Sequence, residues 1–213
     1  MSAPLLRRKE ITLEDLALHY GPVELQRPLS KDEFISLAER YPDLNMEREA
    51  NGTVTVMSPV KRGSSKRESV LIALLYLWNR NQSFEGEVHG ATGGFELPDG
   101  ATKSPDAAWI SAERIALAGD EEESFLKIVP DFIVEVRSGT DRLKKLQDKM
   151  TETWIANGVR LAWLIDPYDE KAYIYRFGSS TPQVVEGFSG RKLSGEDVLP
   201  GFELPLETMM RSQ

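Results

Sequence analysis

Residues 130–150 read PDFIVEVRSGTDRLKKLQDKM. The first part is a strand over 131–137. Phe132, Ile133, Val134 and Val136 form the near-continuous apolar run of a strand covered on both faces, and Glu135 interrupts it. An ionised carboxylate in such a place is costly unless a cation or several donors compensate it. Side chains alternate along a strand, so Asp131, Ile133, Glu135 and Arg137 share one face, and Phe132, Val134 and Val136 the other. Two partners therefore fit Glu135: the guanidinium of Arg137 two residues along, or a bound metal ion.

Upstream, Ser104-Pro105-Asp106 precedes Ala107-Ala108-Trp109-Ile110, a second apolar strand. Proline suits a strand's start because it owes no ladder donor there. Asp106 is either a turn residue or, with Glu135, half of a converging pair of carboxylates. The segment after Glu135 supplies a third element, a helix that Thr140 or Asp141 can cap. Leu143, Leu146, Met150 and Trp154 recur at helical spacing as its buried stripe. At about 100° per residue, Lys149 falls some 60° from Leu146, at the edge of that stripe; Lys145 lies one turn earlier. A lysine there either is solvated or runs its stem along the core and sets its ammonium in a nearby cleft. Gln147 projects onto the apolar side, where a polar side chain usually has a hydrogen bond to make.

The chain has 213 residues, 40% hydrophobic and 28% charged, which suits a soluble α/β domain with a substantial core. No apolar run approaches membrane-spanning length, and the opening MSAPLLRRKE lacks the apolar centre of a signal peptide, so a cytoplasmic location is expected. There is no cysteine, and the two histidines, His19 and His89, are far apart; a thiolate zinc site or a cysteine nucleophile is not expected. His89 reads as a surface or structural residue.

The net charge of −8 and a pI near 5.0 count against broad non-specific nucleic-acid binding, which rests on phosphate neutralisation. Local charge matters more than the total. Glu121-Glu122-Glu123 makes a loop-like acidic patch, while Lys61, Arg62, Lys66 and Arg67 enter one helix and Arg142, Lys144, Lys145 and Lys149 line another. These are either solvated faces or the two walls of one cleft tracking a phosphate backbone.

Residues 1–27 read as an N-terminal arm with a short helix over 12–18, and 28–213 as a single domain. Ser30 caps a helix with Phe34, Leu37 and Ala38 facing inward, ending at Tyr41-Pro42. Asn51-Gly52 marks a tight hairpin, and 63–81 a long helix whose Val70, Leu71, Leu74, Leu75 and Trp78 make it the central core helix. Strands follow at 84–89, 93–97, 106–110, 131–137, 160–166 and 171–177, with Asp166-Pro167-Tyr168-Asp169 turning the last two into a hairpin. The fold class is α/β, a mixed β-sheet flanked by helices with an added N-terminal helix and hairpins. All four tryptophans read as core.

Several stretches together resemble one family: 50–59 (ANGTVTVMSP), 94–98 (GFELP), 104–106 (SPD), 130–138, 147–150 (QDKM), 157–167 (NGVRLAWLIDP) and 195–202 (GEDVLPGF). In this order, over about residues 30–207, they resemble the Uma-type restriction endonuclease family of the PD-(D/E)xK nuclease superfamily. The resemblance implies a restriction-endonuclease-like core. It implies Asp106 as the first metal-binding aspartate and Glu135 as the second acidic ligand. The superfamily's lysine normally stands two residues past that acid, where this chain has Arg137; the family pattern moves it to the following helix, as Lys149. Arginine stays protonated and is a poor base, though it can hold a phosphate or orient Glu135. Glu47 resembles an additional acidic position. The implied activity is hydrolysis of DNA phosphodiester bonds by a Mg²⁺- or Mn²⁺-dependent endonuclease, with DNA as partner; the N-terminal arm and the symmetry of duplex cutting add a homodimer as an expectation. Two other readings stay open: a catalytically silent DNA- or protein-binding domain on the same fold, and a structural domain in which Arg137 and Lys149 alone satisfy the two carboxylates.

Overall fold

Capping boxes and a glycine turn bound the first elements of the chain. In the computed structural model, which describes residues 12–81, 86–118 and 124–211, the chain forms two units, one ending at Pro59 and the other starting at Val60. The 121–123 acidic run and the start of the 84–89 strand lie outside the described residues.

In the first unit, helix α1 (Leu13–Tyr20) starts at a capping box in which Thr12 and Asp15 satisfy each other's backbone N–H. A second box, Ser30 with Glu33, starts α2 (Lys31–Arg40), whose Phe34 is buried. Strand β1 (Val23–Glu24) pairs with β3 (Val54–Val56), which pairs antiparallel with β2 (Met46–Arg48). The β2–β3 turn carries Gly52 at φ +90°, a left-handed conformation that glycine adopts freely.

The second unit begins with α3 (Arg62–Asn81), with Leu71, Leu75 and Trp78 on its buried face. Then come β4 (Glu87–Gly90), the β5 (Phe95–Glu96) and β6 (Thr102–Lys103) hairpin, β7 (Ala107–Ile110), α4 (Ala112–Ala118) and β8 (Phe132–Val136). Helix α5 (Leu143–Asp148) runs into a π-helical stretch, Lys149–Ile155, and leads to β9 (Leu161–Asp166), β10 (Lys171–Arg176) and β11 (Gln183–Glu186). The hairpin β12 (Lys192–Ser194) and β13 (Glu203–Pro205), then a 3₁₀ turn at Leu206–Met209, complete it.

Six strands form one mixed sheet in the order β11-β10-β9-β8-β7-β4. Only the central β8–β9 pair is parallel, which requires a crossover connection; α5 and its π-helical continuation supply it. The alternation read from 131–137 holds. Phe132, Val134 and Val136 pack with Leu71, Leu75, Trp163 and Phe202 on one side of the sheet. Ile133 packs with Met150, Trp154 and Leu164 on the other. Phe132 stands edge-on to Trp163 at 4.7 Å between ring centres, and Trp163 stacks on Phe202 at 5.9 Å.

Asp131, at the entry to β8, is buried and structural: its carboxylate pairs with Arg114 Nε at 3.1 Å and Arg160 Nη1 at 3.6 Å, and accepts the Ser111 N–H at 2.9 Å. It ties β8 to α4 and to the start of β9. Removing one member of a buried pair leaves uncompensated charge. We expect Asp131→Ala to lower unfolding stability by about 3 kcal/mol in urea denaturation; a loss within the scatter of surface substitutions would contradict this assignment.

Candidate active site

Strand β8 fixes Glu135, and the strand beside it fixes Asp106. The β7–β8 ladder is antiparallel, with Ala107 opposite Val134. One step further along the same register sets Asp106 opposite Glu135, and neighbours in such a pair have Cβ atoms about 4.5–5.5 Å apart. Asp106 Oδ2 reaches across to accept the Val136 N–H at 2.6 Å. The two acids that the sequence singles out are thus cross-strand neighbours at the centre of the sheet.

The crossover helix completes the group from above. Lys149 Nζ sits 2.8 Å from Glu135 Oε1, with only 17% of its side chain exposed, and Trp154 Nε1 donates to the same oxygen at 2.9 Å. The ammonium also lies 5.8 Å from the centre of the Trp154 ring, within reach of a cation–π attraction. In a regular α-helix, residues five apart point about 140° away from each other. The π-helical stretch, with Ala156 N–H bonded to Thr151 O and Val159 N–H to Trp154 O, closes i→i+5 rings and brings such residues onto one face. That local widening is what lets Lys149 and Trp154 converge on one carboxylate oxygen.

Asp106 is held well above the ordinary aspartate range. Burial is the main cause, followed by repulsion from Glu135; the Val136 N–H pulls the other way, Glu68 adds repulsion, and Lys149 partly offsets it. Among the described residues Asp106 has no ion pair of its own; its charge is offset only in part, by the Val136 N–H and the field of Lys149. Glu68, on α3, is itself raised by burial, with Arg67 opposing. Among the described residues no group of three or more His, Asp or Glu side chains is gathered to hold a metal. A small hard cation such as Mg²⁺ needs only one or two carboxylates, with waters completing its shell. Asp106 and Glu135 supply two such carboxylates, and the mutual repulsion of the pair favours a cation.

Within the unit that starts at Val60, Arg137, His89, Lys144 and Lys145 have other partners or face solvent. Arg137 does not neutralise Glu135: its Nη1 bonds Asp166 Oδ2 at 2.7 Å and reaches Asp169 Oδ2 at 3.3 Å, with the guanidinium 5.6 Å from the Tyr168 ring centre. The reason lies in the β9–β10 turn, where buried Asp166 also accepts the N–H groups of Tyr168 and Asp169 and needs a cation. Gln147 is half-buried on α5, where its backbone carbonyl accepts the Thr151 hydroxyl. Glu47 is buried on β2, in the unit that ends at Pro59. His89, on β4, pairs with Glu87 at 3.1 Å and packs against Phe95, a structural placement. Neither Thr140 nor Asp141 caps α5: the N-cap is Arg142, without a side-chain bond, because Asp141 turns back to accept the Ser138 N–H at 2.7 Å. Lys145 is exposed, and Lys144 pairs with Asp148.

Two residues of the group escape a reading of the sequence. Trp154 fits the apolar stripe so well that nothing marks it as a donor. Glu68 stands among basic residues, and only the packing of α3 against β7 brings its charge to bear on Asp106.

Residues 32–207 match the family described as "Uma2: Putative restriction endonuclease", and the chain belongs to that family. Among solved structures the fold is similar to a "putative nuclease belonging to DUF820 from Anabaena variabilis ATCC 29413", with a TM-score of 0.68 at 18% identity over 85% of this chain and 97% of that one. At that identity the likeness speaks for the fold. No curated protein matches the chain.

The raised Asp106 carboxyl predicts a pH signature. In the folded protein it ionises only at a higher pH than in the unfolded chain, so stability falls as pH rises from the ordinary aspartate range through the folded value. Asp106→Asn keeps an acceptor for Val136 and removes that charge. Metal-free Asp106→Asn should therefore melt above wild type at pH 8, with the gap closing near pH 4; equal melting temperatures across the range would contradict this.

Proposed function

We propose that this protein is a divalent-metal-dependent endonuclease that hydrolyses phosphodiester bonds of DNA. The observation that carries the reading is Asp106 beside Glu135: the Lys149 ammonium pairs with Glu135, while Asp106 has no ion pair of its own among the described residues. A purely structural pair of acids would have both charges answered, and Arg137 is committed to Asp166 instead. Membership of the family supports a nuclease-like reaction.

In this reading Asp106 and Glu135 would hold Mg²⁺ or Mn²⁺. The bound ion supplies Lewis-acid polarisation of the phosphate and eases loss of a proton from the attacking water. Lys149 stands against Glu135 as a buried cation, where it stabilises the negative charge that develops on the phosphoryl oxygens or orients the water. Trp154 keeps Glu135 and Lys149 in register. Arg137, protonated and paired, does not serve as the base. Glu47, Arg137 and Gln147 remain supporting residues in the proposal. We take the working form to be a cytoplasmic homodimer, since symmetric cutting of a duplex suits a two-fold pair of sites; among the described residues no helix is long and apolar enough to cross a membrane.

The test is cleavage of a mixed DNA and RNA panel with Mg²⁺ or Mn²⁺. Wild type should cut DNA and stop in EDTA, Asp106→Ala and Glu135→Ala should be inactive, and Lys149→Met should lose about 10²–10³-fold in rate. Metal-dependent binding of DNA without any cutting would instead favour a silent binding domain. Cleavage that survives EDTA or all three substitutions would remove this site from the reaction.

A further inference from the structure

We propose that Arg67 and the first turn of α3 form a phosphate subsite, which takes a backbone phosphate of the polynucleotide next to the one that is cut. The inference rests on the nuclease reading above and adds a second contact for the same strand.

Arg67 lies on the core-facing side of α3, in line with Ser64 and Leu71. It is only 6% exposed. Among the described residues its guanidinium makes no hydrogen bond or ion pair, and Nε is buried without a partner. A buried cation of this kind is costly, and native proteins pair such charges. Its planar set of donors matches a phosphate with two parallel bonds.

The guanidinium points at the start of its own helix. A Cβ built on Gly63 would stand 3.6 Å from both Nη1 and Nη2, so the two groups lie side by side. The first N–H groups of a helix have no partner within it. In α3 the ladder begins with Ser65 N–H to Lys61 O, and those N–H groups carry the positive end of a helix of 20 residues. A guanidinium without a hydrogen-bonded partner, set beside the first turn of a long helix, suits an anion. The absence of a side chain at Gly63 keeps the approach open. Lys61, Arg62 and Lys66 are exposed at the same end and add attraction at longer range.

The subsite adjoins the catalytic pair. Glu68 follows Arg67 directly and feels its charge, and Glu68 in turn acts on Asp106. A strand whose scissile phosphate sits at Asp106 and Glu135 would carry its neighbouring phosphate toward α3.

The test uses a fluorescein-labelled DNA duplex in EDTA, so that nothing is cut, with affinity followed by anisotropy over a salt series for wild type, Arg67→Met and Arg67→Lys. The expected result for Arg67→Met is about tenfold weaker binding and a salt dependence lower by about one released counterion, with Arg67→Lys in between. Inorganic phosphate should raise the melting temperature of wild type and leave that of Arg67→Met unchanged. Because Met removes a buried Nε that has no hydrogen-bond partner, the variant should melt no lower than wild type without phosphate, which separates the subsite from a structural role. Unchanged DNA affinity and salt slope in Arg67→Met would overturn the proposal. So would phosphate stabilisation that depends on Arg67 with no effect on DNA, since the occupant would then be free phosphate. Mg²⁺ titration of the same proteins keeps the two readings apart: Arg67→Met should bind Mg²⁺ like wild type, and failure of wild type to bind Mg²⁺ would sink the nuclease reading while Arg67-dependent DNA binding still supported the subsite.

Discussion

A carboxylate in the middle of the central strand sets the conditions for the rest of this unit. Glu135 is buried on β8 and cannot be left ionised without donors. The crossover helix answers with two, the Lys149 ammonium and the Trp154 indole, both on the same oxygen. For that to happen the helix must pass directly above the strand, which the parallel β8–β9 connection enforces. It must also present residues five apart on one face, which an α-helix does not do. The π-helical stretch from Lys149 to Ile155 meets this demand, and such stretches tend to sit at functional sites for this reason.

Arg137 illustrates how the same strand divides its duties. It shares a face with Glu135, but its side chain leaves the carboxylate for Asp166, which is fully buried in the β9–β10 turn. The turn also holds the loop after β8: a Cβ at Gly139 would come within 2.9 Å of the Tyr168 hydroxyl, and Arg137 Nε bonds Asp141 O. Arg137 therefore fastens the exit of β8, and the charge next to Glu135 comes from Lys149. With the cation on the helix and paired to Glu135, Asp106 keeps the Val136 N–H and only the distant field of Lys149, and the proposed divalent cation would complete that balance.

Much of this was legible in the sequence where a local rule governs. Ser30 as a cap places α2, Asn51-Gly52 the first hairpin, and the apolar runs around Trp109, Glu135 and Trp163 the central strands. The pairing of Asp106 with Glu135 was anticipated from two acids at strand positions, though only the ladder register puts them opposite each other. Lys149 was reached through the helical stripe and the family resemblance. What stayed hidden depends on non-local geometry. The short strands β6, β11, β12 and β13 offer two to four residues each, too few for alternation to register. A wheel of 100° steps cannot foresee a π-helical stretch, so Trp154 read as core alone. Arg137 was weighed as the partner of Glu135 because the demand of a buried Asp166 from the next turn is invisible until the chain folds back.

The most direct measurement is a crystal structure of the protein soaked in Mn²⁺, with anomalous scattering used to locate the ion. The account predicts a peak between the carboxylates of Asp106 and Glu135, with Lys149 and Trp154 still on the far side of Glu135 and the peak lost in Asp106→Asn. Well-ordered density at both acids with no ion between them at saturating Mn²⁺, or an ion bound elsewhere, would contradict it.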